Sequence, residues 1–169
     1  MPRGIVVFIR YVDWITKYVG RFAMYLIFVM LGVLLYSSFA KTFLAPPLWT
    51  LETAQFTMAA YYLLGGAYSM QTQSHVRMDL FYGSWSPRRK AAMDVMTILL
   101  LIFYLIFLLY GGLSSLEYAL KYGEESYSAW APKMAPIKAV MCFGIFLMLL
   151  QAIATFFKDL AAALGRPMP

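Results

Sequence analysis

Four long apolar runs separated by polar segments set the pattern of this chain. They cover residues 22–40, 53–74, 95–116 and 137–157, and Lys138, near the start of the fourth, is their only charged residue. Each has about the 20 residues that an α-helix needs to cross the hydrocarbon core of a bilayer. The pattern predicts an all-α integral membrane protein, with residues 1–169 forming a single membrane domain of four transmembrane helices.

Residues 5–21, before the first run, have a different periodicity. Four charged residues recur there at spacings of three, four and four, which predicts one polar helical face. They are Arg10, Asp13, Lys17 and Arg21. The predicted opposite face carries Val7, Phe8, Tyr11, Trp14 and Ile15. This favours an N-terminal amphipathic interfacial helix on the cytoplasmic leaflet, but a cytoplasmic extension of the first span fits the pattern equally well.

The polar segment at residues 71–90 predicts the orientation of the chain. It is a short loop that contains Arg77, Arg88, Arg89 and Lys90, and short loops rich in Lys and Arg stay on the cytoplasmic side during insertion. With both termini on that side too, ten Lys and Arg residues are cytoplasmic and four lie outside. We therefore expect both termini to be cytoplasmic.

Composition narrows the function classes. The chain is 62% hydrophobic and 13% charged, against about 45–50% and about 25% in soluble domains. Its net charge of +6 fits the positive-inside rule better than nucleic-acid binding, because the basic residues cluster at the ends of the apolar runs. A single cysteine, Cys142, excludes an intrachain disulfide, and a single histidine, His75, excludes bis-histidine haem ligation.

The sequence contains no group of residues that supports catalysis or autonomous transport. His75 and Asp79 are four residues apart, which is more typical of a local hydrogen bond than of a catalytic pair, so we do not expect an enzyme. No ionisable residue lies well inside any span, whereas ion-coupled transporters normally keep such groups near the midplane. The composition favours a membrane subunit that holds another protein.

Several residues that belong to no catalytic or transport site are candidates for structural contacts. Trp49 is expected to anchor the start of the second span at the interface, where Glu52 is favoured by the helix dipole. Small residues in that span predict close helix packing, and Gln151 in the fourth is expected to hydrogen-bond another helix. The outer segment at residues 117–136, which includes Trp130, is expected to be ordered.

A set of short motifs runs through these segments in a fixed order. They are Trp49-Thr-Leu-Glu52, Leu64-Gly-Gly-Ala67, His75-Val-Arg-Met-Asp79, Ser86-Pro-Arg-Arg, and Trp130-Ala-Pro132 with Pro136. In this order and spacing the chain resembles the small membrane subunit, the DctQ family, of tripartite ATP-independent periplasmic (TRAP) transporters. The resemblance extends from the first span to the fourth.

The resemblance implies a three-part importer in the bacterial cytoplasmic (inner) membrane. Its expected partners are a large TRAP membrane subunit, which carries an organic acid or similar solute inward with sodium ions, and a periplasmic substrate-binding protein. This chain would scaffold the large subunit, with no cofactor or sodium site of its own. Independently of the resemblance, the basic face of residues 5–21 predicts contact with anionic phospholipids at the inner leaflet. The expected structural or intersubunit contacts are Trp49, Glu52, His75, Arg77, Asp79, Arg88 and Trp130.

Two alternatives belong to other classes. An independent small four-helix transporter would move solute without partners. A membrane anchor subunit of a respiratory enzyme would carry a chromophore or show redox activity.

Overall fold

A computed structural model describes residues 3–72 and 87–163 of the chain, which form four α-helices. The helices are α1 (Arg3–Phe43), α2 (Thr50–Gln71), α3 (Pro87–Tyr122) and α4 (Ala135–Ala163). Three of them contain a segment long and apolar enough to cross a membrane: Gly4–Phe43, Met93–Tyr122 and Ala135–Ala161. The expected all-helical class, with several apolar helices, is confirmed.

Helix α1 continues without a break through the segment that was expected to lie in the interface. Its 41 residues correspond to about 61 Å, which exceeds the roughly 40–45 Å of a bilayer with its headgroups. No proline interrupts it, and its first turns pack on α4 through Ile9, Val12 and Ala154. Residues 5–21 and the first predicted span therefore belong to one continuous helix, which supports an extension of that span over a separate interfacial helix.

The faces of this N-terminal half also differ from the predicted ones. Ile9, Val12 and Thr16 are buried, and Asp13 lies on the packed side of the helix. The aromatic residues Tyr11 and Trp14 are exposed beside the basic residues, not opposite them. The prediction was wrong because spacing alone does not reveal that Asp13 has partners inside the protein.

Helix α2 is not among the three helices that are apolar enough to span. Threonines, glutamines, glycines and Glu52 lower its mean hydropathy. The predicted second span, residues 53–74, falls within α2 except for Thr72, which follows it, and for positions 73 and 74, which lie outside the described residues. That α2 crosses the membrane therefore stays a prediction.

The described helices form an open layer in the order α1, α2, α4, α3. Helix α1 packs on α2, α2 on α4 and α4 on α3, and α1 also contacts α4, whereas the described parts of α1 and α3 do not meet. We call the end of the layer that carries the N-termini of α2 and α4 the outer end, and the opposite end the inner end. A closed bundle would have paired α1 with α3.

The two central helices approach closely where one of them has no side chain. A Cβ atom added to Gly144 of α4 would lie 2.9 Å from Leu63 Cβ and 3.0 Å from the Leu63 carbonyl carbon on α2. Only glycine permits this separation, as in other close helix contacts within membranes. The position of α2 on α4 therefore depends on Gly144.

The two edge helices are the least covered. Only 11% of the most apolar stretch of α1, and the same share of that of α3, is buried, against 44% for α4. The exposed side chains on both edges are mainly large and apolar. Such surfaces are stable when lipid or another apolar protein covers them.

The segment between α3 and α4 is ordered by its own hydrogen bonds. Ser126 N–H donates to Pro132 O at 3.0 Å, and Met134 N–H donates to Glu124 O at 2.9 Å. An isolated antiparallel bridge joins Glu125 and Lys133. The segment expected at residues 117–136 is ordered, but positions 117–122 continue α3 and positions 135–136 begin α4. The residues between them form a compact loop at the outer end, which we call the outer loop (residues 123–134).

Candidate functional site

A polar cluster at the outer end joins α2 to its neighbours. The Ser126 hydroxyl of the outer loop donates to Glu52 Oε1 at 2.6 Å. Glu52 is only 7% exposed, and its other carboxylate oxygen is buried without a hydrogen-bond partner among the described residues. Next to it, the hydroxyls of Ser37 on α1 and Thr50 on α2 lie 2.9 Å apart. Glu52 thus ties the outer loop to the first turn of α2.

An ion pair fixes the other side of the outer loop. The Lys138 ammonium in the first turns of α4 donates to a Glu124 carboxylate oxygen. This contact explains how a charged residue is accommodated near the start of an apolar helix. With Ser126 and Glu52, it holds the loop to both central helices.

The predicted tryptophan sites differ in their surroundings. The Trp49 ring stacks on Tyr36 of α1, with ring centroids 5.7 Å apart and an angle of 26° between the planes. Trp49 is therefore a contact between α1 and the start of α2, while Trp130 is an exposed residue of the outer loop.

The basic and acidic motif of the central loop lies outside the described part of the chain. This applies to His75, Arg77 and Asp79. Arg88 belongs to the first turn of α3, but its side chain is also outside the described part. Their expected contacts stay predictions.

A second polar cluster, at the inner end, was not expected. Asp13 of α1 accepts hydrogen bonds from Gln151 Nε2 at 3.0 Å and from Lys158 Nζ at 2.7 Å. Gln71 Nε2, at the end of α2, donates to the Asp13 backbone oxygen at 3.1 Å. Asp13 therefore connects α1 to α2 and α4 at one point.

The inner cluster differs from a surface ion pair because it includes buried side chains. Gln151 is fully buried and Thr16 is 1% exposed. The expectation that Gln151 would hydrogen-bond another helix is confirmed. No spacing in the sequence pairs Asp13 with Lys158, which is 145 positions away; an acid in a mainly basic segment was the only signal.

The two clusters lie at the two ends of α2. Glu52 and Gln71 are 19 positions apart in one helix, which corresponds to about 28 Å along its axis. The hydrocarbon core of a bilayer is about 30 Å thick. The polar ends of α2 are therefore separated by the thickness of a membrane core.

Between these ends, one side of α2 is uncovered. Seven positions at alternating spacings of four and three form this α2 seam and are exposed or half-buried: Leu51, Gln55, Met58, Tyr62, Gly65, Ser69 and Thr72. Alternation of four and three is the spacing at which one helix packs along another. The α2 seam thus has the geometry of a helix-packing surface on which none of the described helices packs.

A concave region lies over the inner half of the α2 seam. Its volume is about 580 Å³, and it extends from α2 onto the neighbouring helices. Its lining includes Gly20, Met24, Tyr62, Gly65, Ser69 and Met148. A Cβ atom added to Gly65 would meet no atom within 4 Å, so this glycine does not serve packing within the chain.

The exposed stripe of α3 has the same spacing but a different composition. It consists of Met96, Leu100, Phe103, Phe107 and Tyr110. These large side chains suit lipid tails or another apolar surface, whereas the amide of Gln55 and the hydroxyl of Ser69 would lose hydrogen bonds in lipid. The α2 seam and the exposed stripe of α3 are therefore suited to different neighbours.

Comparison with known families identifies the chain. A family model described as "Tripartite ATP-independent periplasmic transporters, DctQ component" matches residues 30–162. The chain belongs to the DctQ family. It is therefore a small permease component of a TRAP transporter, as the resemblance implied, and a multi-pass membrane protein.

DctQ components work with a large membrane subunit and a substrate-binding protein, and theirs is a transporter family, not an enzyme family. The matched residues include all of α2, with its seam and both polar ends, and all of α3. No curated protein sequence matches the chain.

Proposed function

We propose that this DctQ protein is a scaffold that holds the large membrane subunit of its transporter along the α2 seam. The observation that carries the proposal is the composition of that seam. A central helix of the layer presents an amide, a glycine and a hydroxyl outward (Gln55, Gly65 and Ser69) among the larger side chains of the seam, and a concave region of about 580 Å³ lies over its inner half. A helix of the large subunit would place a bulky side chain in this concavity and would offer partners to Gln55 and Ser69.

In this arrangement α2 also crosses the membrane, as the second of four spans, although its hydropathy is low. The distance between Glu52 and Gln71 supports this, because it matches the core of a bilayer. A helix covered by protein on the seam side and by α1 and α4 on the others does not need the apolar character of α1 or α3. Its polar composition is then a consequence of its central position.

The surroundings proposed for the complex follow from the charge pattern and the family resemblance. The protein lies in the bacterial inner membrane with both termini in the cytoplasm, since Lys and Arg are concentrated in the termini and in the loop before α3. Sodium and an organic acid or similar solute are bound by the other components. Apart from Lys138 near the start of the fourth, the apolar runs contain no charged residue; this supports the division, because such groups normally mark ion and substrate pathways.

Filling the concavity tests the docking surface. We expect Gly65→Trp to fold and insert normally, since the position is open, but to lower co-purification of the large subunit and binding-protein-dependent uptake at least about fivefold. The measurement is a mild-detergent pull-down of the tagged chain co-expressed with its large subunit, together with uptake in whole cells.

The matched control is Gly32→Trp on α1, where an added side chain also meets open space but lies outside the seam. The control should retain the large subunit and uptake. Full recovery of the large subunit with Gly65→Trp, or equal loss in both variants, would show that the α2 seam is not the docking surface.

A further inference from the structure

The exposed side of the first half of α1 brings together cations and aromatic rings. We call it the basic-aromatic face; it consists of Arg10, Tyr11, Trp14, Lys17, Tyr18 and Arg21, all exposed. At 100° per residue these six positions fall within about a third of the helix circumference. They lie opposite Ile9, Val12 and Thr16, which pack against the protein.

The charge of this face is not neutralised within its own segment. Asp13 is the only acidic residue among residues 3–21, and it points to the packed side, where it accepts from Lys158 and Gln151. The one acid that could have offset part of this charge is therefore engaged in the inner cluster. The basic-aromatic face keeps its charge of +3.

The aromatic rings of the basic-aromatic face lie against one another and border a shallow concavity. The Trp14 ring lies 6.2 Å from Tyr11 and 4.6 Å from Tyr18, measured between centroids. The Arg21 guanidinium lies over the Tyr18 ring at 5.9 Å. A shallow concavity of about 360 Å³ is lined by Val7, Arg10, Tyr11 and Trp14. Cations beside amphipathic rings are typical of surfaces at the headgroup level of a membrane.

The same side of α1 continues into an apolar stripe. Tyr25, Phe28, Leu35 and Phe39 follow at the same angular position and are exposed. A ligand that complements the whole surface must carry an anionic head and a long apolar tail. This combination favours an amphiphile over a soluble anion or a nucleic acid, which would match the cations and leave the stripe uncovered.

We propose that the basic-aromatic face is a binding site for an anionic phospholipid. The phosphate group lies between the cations at the level of Trp14, and the acyl chains follow the stripe toward Phe28. The inner cluster fixes the rotation of α1, because the bonds of Asp13 to α2 and α4 hold the cations outward. The cytoplasmic orientation proposed above determines only which leaflet supplies the lipid.

The test uses the full chain purified in a neutral detergent and exposed to equal amounts of phosphatidylglycerol and phosphatidylcholine. Native mass spectrometry then counts each lipid retained. A cation near an anionic lipid surface raises affinity about fivefold. We therefore expect the wild type to prefer phosphatidylglycerol at least about tenfold, and Arg10→Gln/Lys17→Gln/Arg21→Gln to lose that preference.

Two further variants separate a local site from net charge. Lys41→Gln/Lys121→Gln/Lys133→Gln removes the same charge from exposed positions at the outer end and should keep the preference. Arg10→Lys/Arg21→Lys preserves the charge of the face and should also keep it. Because these residues are exposed, none of the substitutions disturbs the core.

Equal retention of the two lipids by the wild type, or equal loss of preference in both triple glutamine variants, would overturn the proposal. The readout requires neither the large subunit nor transport. A failure here is therefore distinguishable from a failure of the docking proposal, which is measured by recovery of the large subunit.

Discussion

At the scale of single residues, the largest consequences come from polar side chains placed inside an apolar protein. Gln151 lies in the middle of the apolar helix α4 and is fully buried. It is accommodated because Asp13 of α1 accepts its hydrogen bond. Interhelical hydrogen bonds in membranes contribute about 0.6 kcal/mol on average and up to about 1.7 kcal/mol. One such bond, together with Lys158, fixes the first half of α1 against α4.

Replacing Gln151 tests this contribution. We expect Gln151→Leu to lower the free energy of unfolding by about 0.6–1.7 kcal/mol, because Asp13 loses a hydrogen-bond donor while the side chain stays similar in size. Denaturant unfolding of the purified chain in detergent measures the effect. A double-mutant cycle with Asp13→Ala isolates the pair, and its coupling energy should fall in the same range.

Gln55→Leu provides the matched control, since it makes the same chemical change at an exposed position of α2. Its effect on the isolated chain should stay within about 0.5 kcal/mol. A coupling energy near zero for Gln151 and Asp13 would mean that the inner cluster does not stabilise the fold.

At the scale of the elements, the packing of α2 on α4 depends on a missing side chain. Gly144 sits against both the side chain and the backbone of Leu63, at distances that other residues do not tolerate. Helix propensity alone would favour alanine at this position by roughly 0.5–1 kcal/mol. The close approach of the two central helices therefore outweighs the local preference of the chain.

Gly144→Ala is expected to destabilise the protein by about 1–3 kcal/mol, because the new methyl group forces α2 and α4 apart. Thermal unfolding of the purified chain measures this as a lower melting temperature. Gly111→Ala on α3 is the matched control, since its Cβ would meet open space. It should leave the melting temperature unchanged or raise it; an equal decrease in both variants would show that the helix contact is not the cause.

At the scale of the whole molecule, the open layer places two kinds of surface on one protein. The edge helices expose apolar stripes, while the central helix α2 exposes the α2 seam. The outer and inner clusters lie at opposite ends of the layer, and the basic-aromatic face is near the inner one. An arrangement with α1 packed on α3 would have removed the separate edges of the layer.

The orientation of this layer is testable with single cysteines. On a Cys142→Ala background, we expect Ser128→Cys to react with a membrane-impermeant maleimide in intact cells, because the proposed orientation places the outer loop in the periplasm. Gly4→Cys at the start of α1 should react only after the inner membrane is permeabilised. Both positions are exposed, so access to the reagent depends on the side of the membrane.

Labelling of Gly4→Cys in intact cells would invert the proposed orientation. It would also assign the basic-aromatic face to the outer leaflet. Labelling of both positions in intact cells would place the start of α1 and the outer loop on the same side of the membrane. That result would conflict with a membrane-spanning layer.

The fold class and the approximate helices could be predicted from the sequence alone, and the family from its motifs. Apolar runs of about 20 residues are sufficient for the class and the helices, because a bilayer imposes a length and forbids unsatisfied backbone groups. Gln151 was also identifiable, since an isolated amide in an apolar helix needs a partner. The ordered motifs, above all His75-Val-Arg-Met-Asp79 followed by Ser86-Pro-Arg-Arg, carried the family resemblance that the match over residues 30–162 confirmed.

The hydrogen-bond partners of the polar residues could be identified only from the packing of the helices. The spacing of Asp13 placed it with Arg10 and Lys17, but its bond to Lys158 crosses most of the chain, and no local pattern encodes a contact at that separation. The α2 seam could be recognised only in the tertiary structure, in which α1 and α4 cover the other sides of α2. Periodicity shows that a helix has faces, whereas the long-range packing of the other helices determines which face each neighbour covers.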